Sequence, residues 1–209
     1  MIKVLIADDH PIVRQGLRQI LSESGDISVT GEAGSSQDAL NQVWKDSFDV
    51  VLLDISMPGR SGLEIIKEIK AEGSKTAVLI LTAYPEEQYA LRAIKSGASG
   101  YLVKKSAPEE LVQAIMKVSQ GGRYISPSLA EKLAFNLETG EISPHDKLSN
   151  REYQIMCMIA SGKTVNEIGE ELSLSVKTIS THRARLLLKM NMKNNSELTH
   201  YTIKNGLVD

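Results

Sequence analysis

Five residues stand where short apolar runs of this chain end. Asp8 and Asp9 follow KVLIA, Asp54 follows VVLL, Thr82 follows TAVLIL and Lys104 follows GYLV. Each alone is ordinary, since an aspartate after a strand is most often a turn residue and a lysine there is most often solvated. In one parallel sheet they would converge, because ligands of open α/β sheets bind outside the carboxyl ends of the strands. Three clustered carboxylates repel one another, so a stable site needs a cation. Hard oxygen donors in a small open site suit Mg2+, which keeps several waters and takes one or two carboxylates plus a phosphate. A carboxylate beside such an ion and an ammonium can act as nucleophile toward a phosphoryl group. Asp54 is then the candidate phosphoacceptor. Lys104 would neutralise phosphoryl oxygens, and the Thr82 hydroxyl would donate to one of them.

The elements that must position these residues are legible in the first 120 positions. The runs KVLIAD, SVTGEA, VVLLD, TAVLIL and GYLV alternate with helical patterns near 11–24, 36–46, 62–72, 86–97 and 108–119. Alternating strands and helices imply βαβ crossovers and a parallel sheet. VVLLD is apolar throughout its strand, as a strand buried on both faces should be. The fold class expected is α/β, a (βα)5 doubly wound parallel-sheet domain over 1–119.

After Gln120 the chain turns rich in Gly, Ser and Pro, which predicts a flexible linker over 120–147 with a short helix near 127–137. From Leu148 the pattern is wholly helical, an all-α four-helix domain over 148–209. Ser149-Asn-Arg-Glu152 and Thr164-Val-Asn-Glu167 are both capping boxes. They open helices at 150–160 and 165–172, followed by 176–190 and 196–205. A short helix, a tight turn and a longer basic helix form a helix-turn-helix. Ser161-Gly-Lys-Thr164 resembles the tail of a phosphate-binding loop, but Cys157 stands where that loop needs glycine and no strand precedes it.

Bulk composition excludes several classes. No apolar run approaches the roughly 20 residues of a membrane span, and the first ten residues lack the pattern of a signal peptide. The single cysteine, Cys157, lies in the apolar stretch IMCMIA and reads as a core thiol, which points to a cytoplasmic setting. Charge is divided unevenly: residues 1–142 carry 15 basic and 19 acidic side chains, residues 143–209 carry 9 and 7. Residues 176–193 hold five basic residues and no acid. A basic stripe on a chain of net charge −2 is the footprint of a small DNA reader.

Asp8-Asp9, Asp54 within VVLLDISMPGRSG, Thr82-Ala83, Tyr101 and Lys104 within GYLVK together resemble the receiver domain of two-component response regulators. The resemblance implies that Asp54 accepts phosphoryl from a sensor histidine kinase. It implies that Asp9, Asp54 and the backbone carbonyl of Ser56 hold Mg2+, with Asp8 assisting through water. Thr82 and Tyr101 would form a conformational switch, with Ala83 and Lys104 at the phosphate. A cis peptide at 104–105 is also usual in that family, although at a non-proline it costs roughly 3 kcal/mol. LSNREYQIMCMIASGKTVNEIGEELSLSVKTISTHRARLLLKM resembles the LuxR-type helix-turn-helix, and the pair of domains resembles the NarL/FixJ class.

On a helical wheel Val176, Ile179, Leu186 and Met190 form the core stripe of the 176–190 helix. Lys177, Thr181, Ala184 and Leu188 lie opposite. Lys177, Thr178, Ser180, Thr181 and Ala184 are candidates for the DNA-reading face, and Arg183, Arg185 and Lys189 for phosphate contacts. Partners implied are double-stranded DNA, a second copy of the phosphorylated chain, and RNA polymerase as a further contact. The chain would not be a turnover enzyme, self-dephosphorylation aside. An aspartate-nucleophile phosphatase is disfavoured, because Asp54-Ile55-Ser56 lacks the D-x-D signature. The alternative is a constitutive DNA-binding regulator whose receiver serves only as a dimerisation module.

Overall fold

The computed structural model describes residues 1–71, 74–139 and 143–208. The end of the helix expected at 62–72 and residues 140–142 of the linker lie outside the described residues. The chain divides into two compact units, Met1–Ala130 and Glu131–Asp209.

The first unit contains β1 (Ile2–Ala7), α1 (Pro11–Ser22), β2 (Ile27–Ala33), α2 (Ser36–Lys45), β3 (Val50–Leu53), α3 (Gly62–Ala71), β4 (Ala77–Thr82), α4 (Glu86–Lys95), β5 (Gly100–Val103) and α5 (Pro108–Ser119). All five strands are parallel, in the order β2-β1-β3-β4-β5. The strand order reverses between β1 and β3, which is where a doubly wound sheet opens a crevice. Side chains alternate between faces along each strand. Val4, Ile6, Val50, Leu52, Leu79 and Leu81 share one apolar cluster with Leu17 and Leu21 of α1 and Leu111, Ala114 and Ile115 of α5. The intervening Leu5, Val51, Leu53, Val78 and Ile80 are equally buried, so the sheet is apolar on both faces. Helix starts follow local chemistry: Pro11 and Pro108 open α1 and α5, and the Ser35 side chain caps α2 by accepting from the Asp38 N–H.

The linker departs from expectation in its first part. Tyr124 pairs with Gly100 at the outer edge of β5, and residues through Ala130 group with the first unit. Glycine and charge suggested freedom, but the free edge of β5 supplies backbone donors and acceptors that satisfy the Tyr124 backbone. α6 (Pro127–Thr139) follows.

The second unit has a 3-10 turn (Pro144–Lys147), α7 (Asn150–Ala160), α8 (Val165–Glu171), α9 (Val176–Met190) and α10 (Asn195–Lys204). Both capping boxes form in full, with side chain and backbone bonded reciprocally at Ser149/Glu152 and Thr164/Glu167. Ser175 caps α9 by accepting from the Thr178 N–H. α9 ends at Asn191, whose backbone is left-handed, as a helix terminus favours. α8, a short turn and α9 make the helix-turn-helix, and Ile155, Ile168, Ile179, Leu186 and Leu198 are fully buried beneath it.

Candidate functional site

Backbone bonds across the sheet bring the acidic residues to one edge. The Asp8 N–H donates to Ala33 O at 3.1 Å, the Asp54 N–H to Ala7 O at 2.9 Å, and the Lys104 N–H to Thr82 O at 2.7 Å. The side chains then meet. Lys104 Nζ lies 2.6 Å from Asp8 Oδ2 and 2.7 Å from Asp54 Oδ2. Asp8 and Asp54 are buried, at 2% and 4% exposure, so this ammonium bridges two carboxylates largely removed from water. Burial pulls the Lys104 pKa down, but the hydrogen bonds to Asp54 and Asp8 outweigh it and hold the group above its ordinary value.

Asp9 is half-buried and groups with Asp8 and His10, whose ligand atoms lie within 4.8 Å of one another. His10, which follows it, places Nδ1 2.9 Å from Asp9 Oδ1 and 3.2 Å from Asp8 Oδ1. The His10 backbone N–H also donates to Asp8 Oδ1 at 2.9 Å. Arg14 Nη1 donates to the Asp8 carbonyl at 2.7 Å. Three carboxylates with one lysine leave two negative charges for a divalent ion to balance, and the donors are hard oxygens. The residues present therefore fit Mg2+. Sequence reasoning missed His10 and Arg14. The adjacency of His10 to Asp9 was a usable signal, whereas Arg14 reaches the site only through the turn of α1.

Gly62 was missed as well. A Cβ there would lie 2.1 Å from the Asp54 carbonyl oxygen, so only glycine lets α3 start against the loop that carries Asp54. The Gly62 N–H donates to Ile55 O at 3.0 Å and fixes that loop.

Thr82 and Tyr101, which the resemblance would make a conformational switch, are both buried. Thr82 is fully buried, and its Oγ1 has no hydrogen-bond partner among the described residues. An unpartnered buried hydroxyl costs about 1–3 kcal/mol, so it has reason to move toward an acceptor. The Tyr101 ring is turned inward and buried, and its hydroxyl donates to Tyr84 O at 3.0 Å and lies 3.3 Å from Pro85 O. Burial, followed by the charge of Asp54, pushes the Tyr101 pKa well above its ordinary value. Ser56 Oγ donates to the Tyr84 hydroxyl at 3.0 Å, and the Ser56 N–H to Asp54 Oδ1 at 3.3 Å. Ala83, the residue after β4, is exposed. The 104–105 peptide is not cis, since no described peptide bond is. The chain turns there instead through the Ser106 N–H donating to Val103 O at 2.9 Å.

On α9, Lys177, Ser180, Thr181, Ala184 and Arg185 are exposed as expected, and Thr178 is half-buried beneath its capping bond. Arg183 and Lys189 are already engaged within the protein. Arg183 Nε donates to Asn195 Oδ1 at 2.7 Å, and Lys189 Nζ to Glu152 Oε2 at 2.7 Å. Val176, placed in the core stripe from the wheel, is 49% exposed. It occupies the first helical position, beyond the packed turns, and Leu187 completes the core instead.

Residues 4–116 match the family described as Response regulator receiver domain. Residues 146–202 match Bacterial regulatory proteins, luxR family. The chain belongs to the response regulator family. This response regulator joins a five-stranded receiver to a LuxR-type DNA-binding domain, and its family is one of transcription regulators rather than classical enzymes. It is 43% identical over 209 residues to the response regulator UvrY of Escherichia coli strain K12, covering 99% of this chain and 96% of that one. It is 39% identical over 212 residues to the response regulator GacA of Pseudomonas aeruginosa, covering 100% and 99%. Among solved structures it resembles RcsB of Salmonella typhimurium with TM-score 0.67, 29% identity and 98% of each chain covered. It also resembles RcsB from Salmonella enterica serovar Typhimurium bound to promoter rprA in the presence of the phosphomimetic BeF3−, with TM-score 0.64 and 28% identity over 96% of this chain and 97% of that one. No described helix of the response regulator is long and apolar enough to cross a membrane.

Proposed function

We propose that this response regulator accepts a phosphoryl group on Asp54 from a sensor histidine kinase and thereby controls its dimerisation and its sequence-specific binding to DNA. The observation that carries this reading is the Lys104 ammonium held between buried Asp8 and Asp54, with Thr82, whose hydroxyl has no partner among the described residues, at the end of the strand next to β5. A carboxylate oxygen of Asp54 attacks phosphorus, the bond from phosphorus to the donor nitrogen breaks, and an acyl phosphate results. Lys104 exchanges part of its pairing with Asp54 for a phosphoryl oxygen, and Thr82 donates to another. Asp9, Asp54 and the Ser56 carbonyl would hold Mg2+, with Asp8 assisting. The ion supplies positive charge opposite the phosphoryl oxygens. Water returns the carboxylate slowly by hydrolysing the acyl phosphate, which is self-dephosphorylation rather than turnover of an outside substrate.

The receiver occupies 1–119, the linker 120–147 and the DNA-binding domain 148–209, in the cytoplasm. Lys177, Ser180, Thr181 and Ala184 lie toward base edges with Thr178 flanking them, and Arg183, Arg185 and Lys189 serve phosphates. Arg183 and Lys189 do so by exchanging their protein partners for phosphate oxygens. The RcsB structures support double-stranded DNA and a second copy as partners, since one holds a promoter with the phosphomimetic and another is of two dimers on two parallel DNAs. RNA polymerase is the further partner such a dimer would meet at a promoter.

The test uses Asp54→Asn and a labelled small phosphodonor such as acetyl phosphate. Label should enter the parent chain and not the variant, and donor-dependent DNA binding should vanish with it. Label entering the variant at the parent's yield would refute the assignment. Equal DNA affinity of the parent with and without beryllofluoride would favour a receiver that only dimerises.

A further inference from the structure

The outer edge of β5 carries the beginning of the linker. The Tyr124 N–H donates to Ser99 O at 2.9 Å, and the Tyr101 N–H donates to Tyr124 O at 3.2 Å. Gly100, between these two, admits the approach, since a Cβ there would lie 2.7 Å from Tyr124 O. The Tyr124 hydroxyl donates to Glu110 Oε1 at 3.2 Å, and Lys117 Nζ stands 5.8 Å from the centre of its ring. Further along, the hydroxyls of Ser126 and Ser128 both donate to the Glu86 carboxylate. The Leu129 N–H donates to Ser126 Oγ at 3.1 Å.

These anchors share a feature. Glu86 opens α4 four residues after Thr82, and Tyr101 bonds through its hydroxyl to Tyr84 O and Pro85 O of the same loop. The loop 82–86 therefore holds the linker at two points, directly through Glu86 and indirectly through Tyr101. At its other end it carries the Thr82 hydroxyl, which has no partner among the described residues. A loop this short transmits displacement, and a hydrogen bond stretched from about 3 to about 4 Å is no longer one.

We infer that the β5 edge and the first turn of α4 form a docking surface whose occupant is the chain's own segment Tyr124–Leu129, and that this segment loosens when Thr82 moves toward phosphorylated Asp54. The inference rests on the phosphoacceptor reading of Asp54. It makes the linker a read-out element of the receiver. Phosphorylation draws Thr82 and its loop toward the pocket, Glu86 withdraws from Ser126 and Ser128, and the pairing at Tyr124 weakens.

Hydrogen exchange on the full chain in Mg2+ tests this, with and without beryllofluoride, and with the fluorine signal of bound beryllofluoride read from the same sample. With fluoride bound, the Tyr124 amide should exchange about tenfold faster while the amides of Val50–Leu53 keep their protection. Glu86→Ala should give the same acceleration without beryllofluoride, and the double substitution Ser126→Ala/Ser128→Ala should reproduce it. Bound fluoride with unchanged exchange at Tyr124 overturns the inference and leaves the phosphoacceptor reading intact, as does continued protection in Glu86→Ala. Absence of any bound-fluoride signal removes the phosphoacceptor reading, and the inference with it.

Discussion

Lys104→Ala removes the ammonium that bridges Asp8 and Asp54 and leaves two buried carboxylates side by side. Removing one partner of a buried ion pair costs about 3–5 kcal/mol. The Lys104 side chain keeps 20% of its exposure, which admits water and places the cost at the lower end, about 3 kcal/mol. At roughly 2–4 °C per kcal/mol for a chain of this size, the receiver's transition should fall by about 10 °C in EDTA. Trp44, the single tryptophan, lies in the first unit, so its fluorescence follows the receiver apart from the DNA-binding domain. Added Mg2+ should restore most of the loss, because a divalent ion replaces the missing charge. At about 100 times its dissociation constant it contributes about 2.7 kcal/mol. The variant should therefore gain more from Mg2+ than the parent does. Asp8→Asn in the Lys104→Ala background should recover part of the stability without metal, since one repelling charge is gone. A transition in EDTA within about 2 °C of the parent, or equal Mg2+ gains in both, would refute the claim that Lys104 holds these carboxylates together.

Other outcomes follow from the same contacts. The Lys104 pKa lies above its ordinary 10.5 in the folded chain, so its contribution is complete below that value and lost as pH rises through the folded one. Receiver stability in denaturant should thus fall on the alkaline side above about pH 10.5, and the fall should be absent in Lys104→Ala. Gly62→Ala forces a Cβ against the Asp54 carbonyl, at a cost of about 1–3 kcal/mol, and should reduce labelled-phosphate uptake with a lowered denaturant midpoint. At Glu152 burial raises the pKa, but the Lys189 bond and the Ser149 bonds outweigh it and leave the group below 4.5. Its stabilisation is present above that value and lost as pH falls through the folded one. Glu152→Gln should cost about 1 kcal/mol at neutral pH and remove this acid limb in helical circular dichroism. Arg185→Ala should weaken binding to all DNA sequences and flatten the salt slope by about one unit, and a loss confined to one sequence would move Arg185 to the base edges.

The sequence alone determined the elements and the types at their ends. Strands alternating with helices imply one parallel sheet whose carboxyl ends share an edge, so Asp8, Asp9, Asp54, Thr82 and Lys104 were legible together from the sequence, though none was informative alone. The capping boxes at Ser149 and Thr164 were equally local, because their bonds span three residues. What required the tertiary structure was every contact between distant segments. The choice of Lys104 to bridge Asp8 and Asp54 depends on the reach of one side chain from the end of β5 past β4 to the ends of β3 and β1. The clearance at Gly62 depends on a backbone oxygen eight residues away. Arg183 and Lys189 were expected to reach phosphate, yet they bond to Asn195 and Glu152 because folding brings the first residue of α10 and the first turn of α7 within reach of α9. Val176 belongs to the apolar stripe by periodicity and is exposed because the packed helices end short of it. The linker's composition argued for freedom, and the open edge of β5 overrode it at Tyr124. Periodicity and caps act within a turn or two of chain and can be read in order. Pairing, clearance and burial depend on what folding brings alongside, and a linear sequence does not display that.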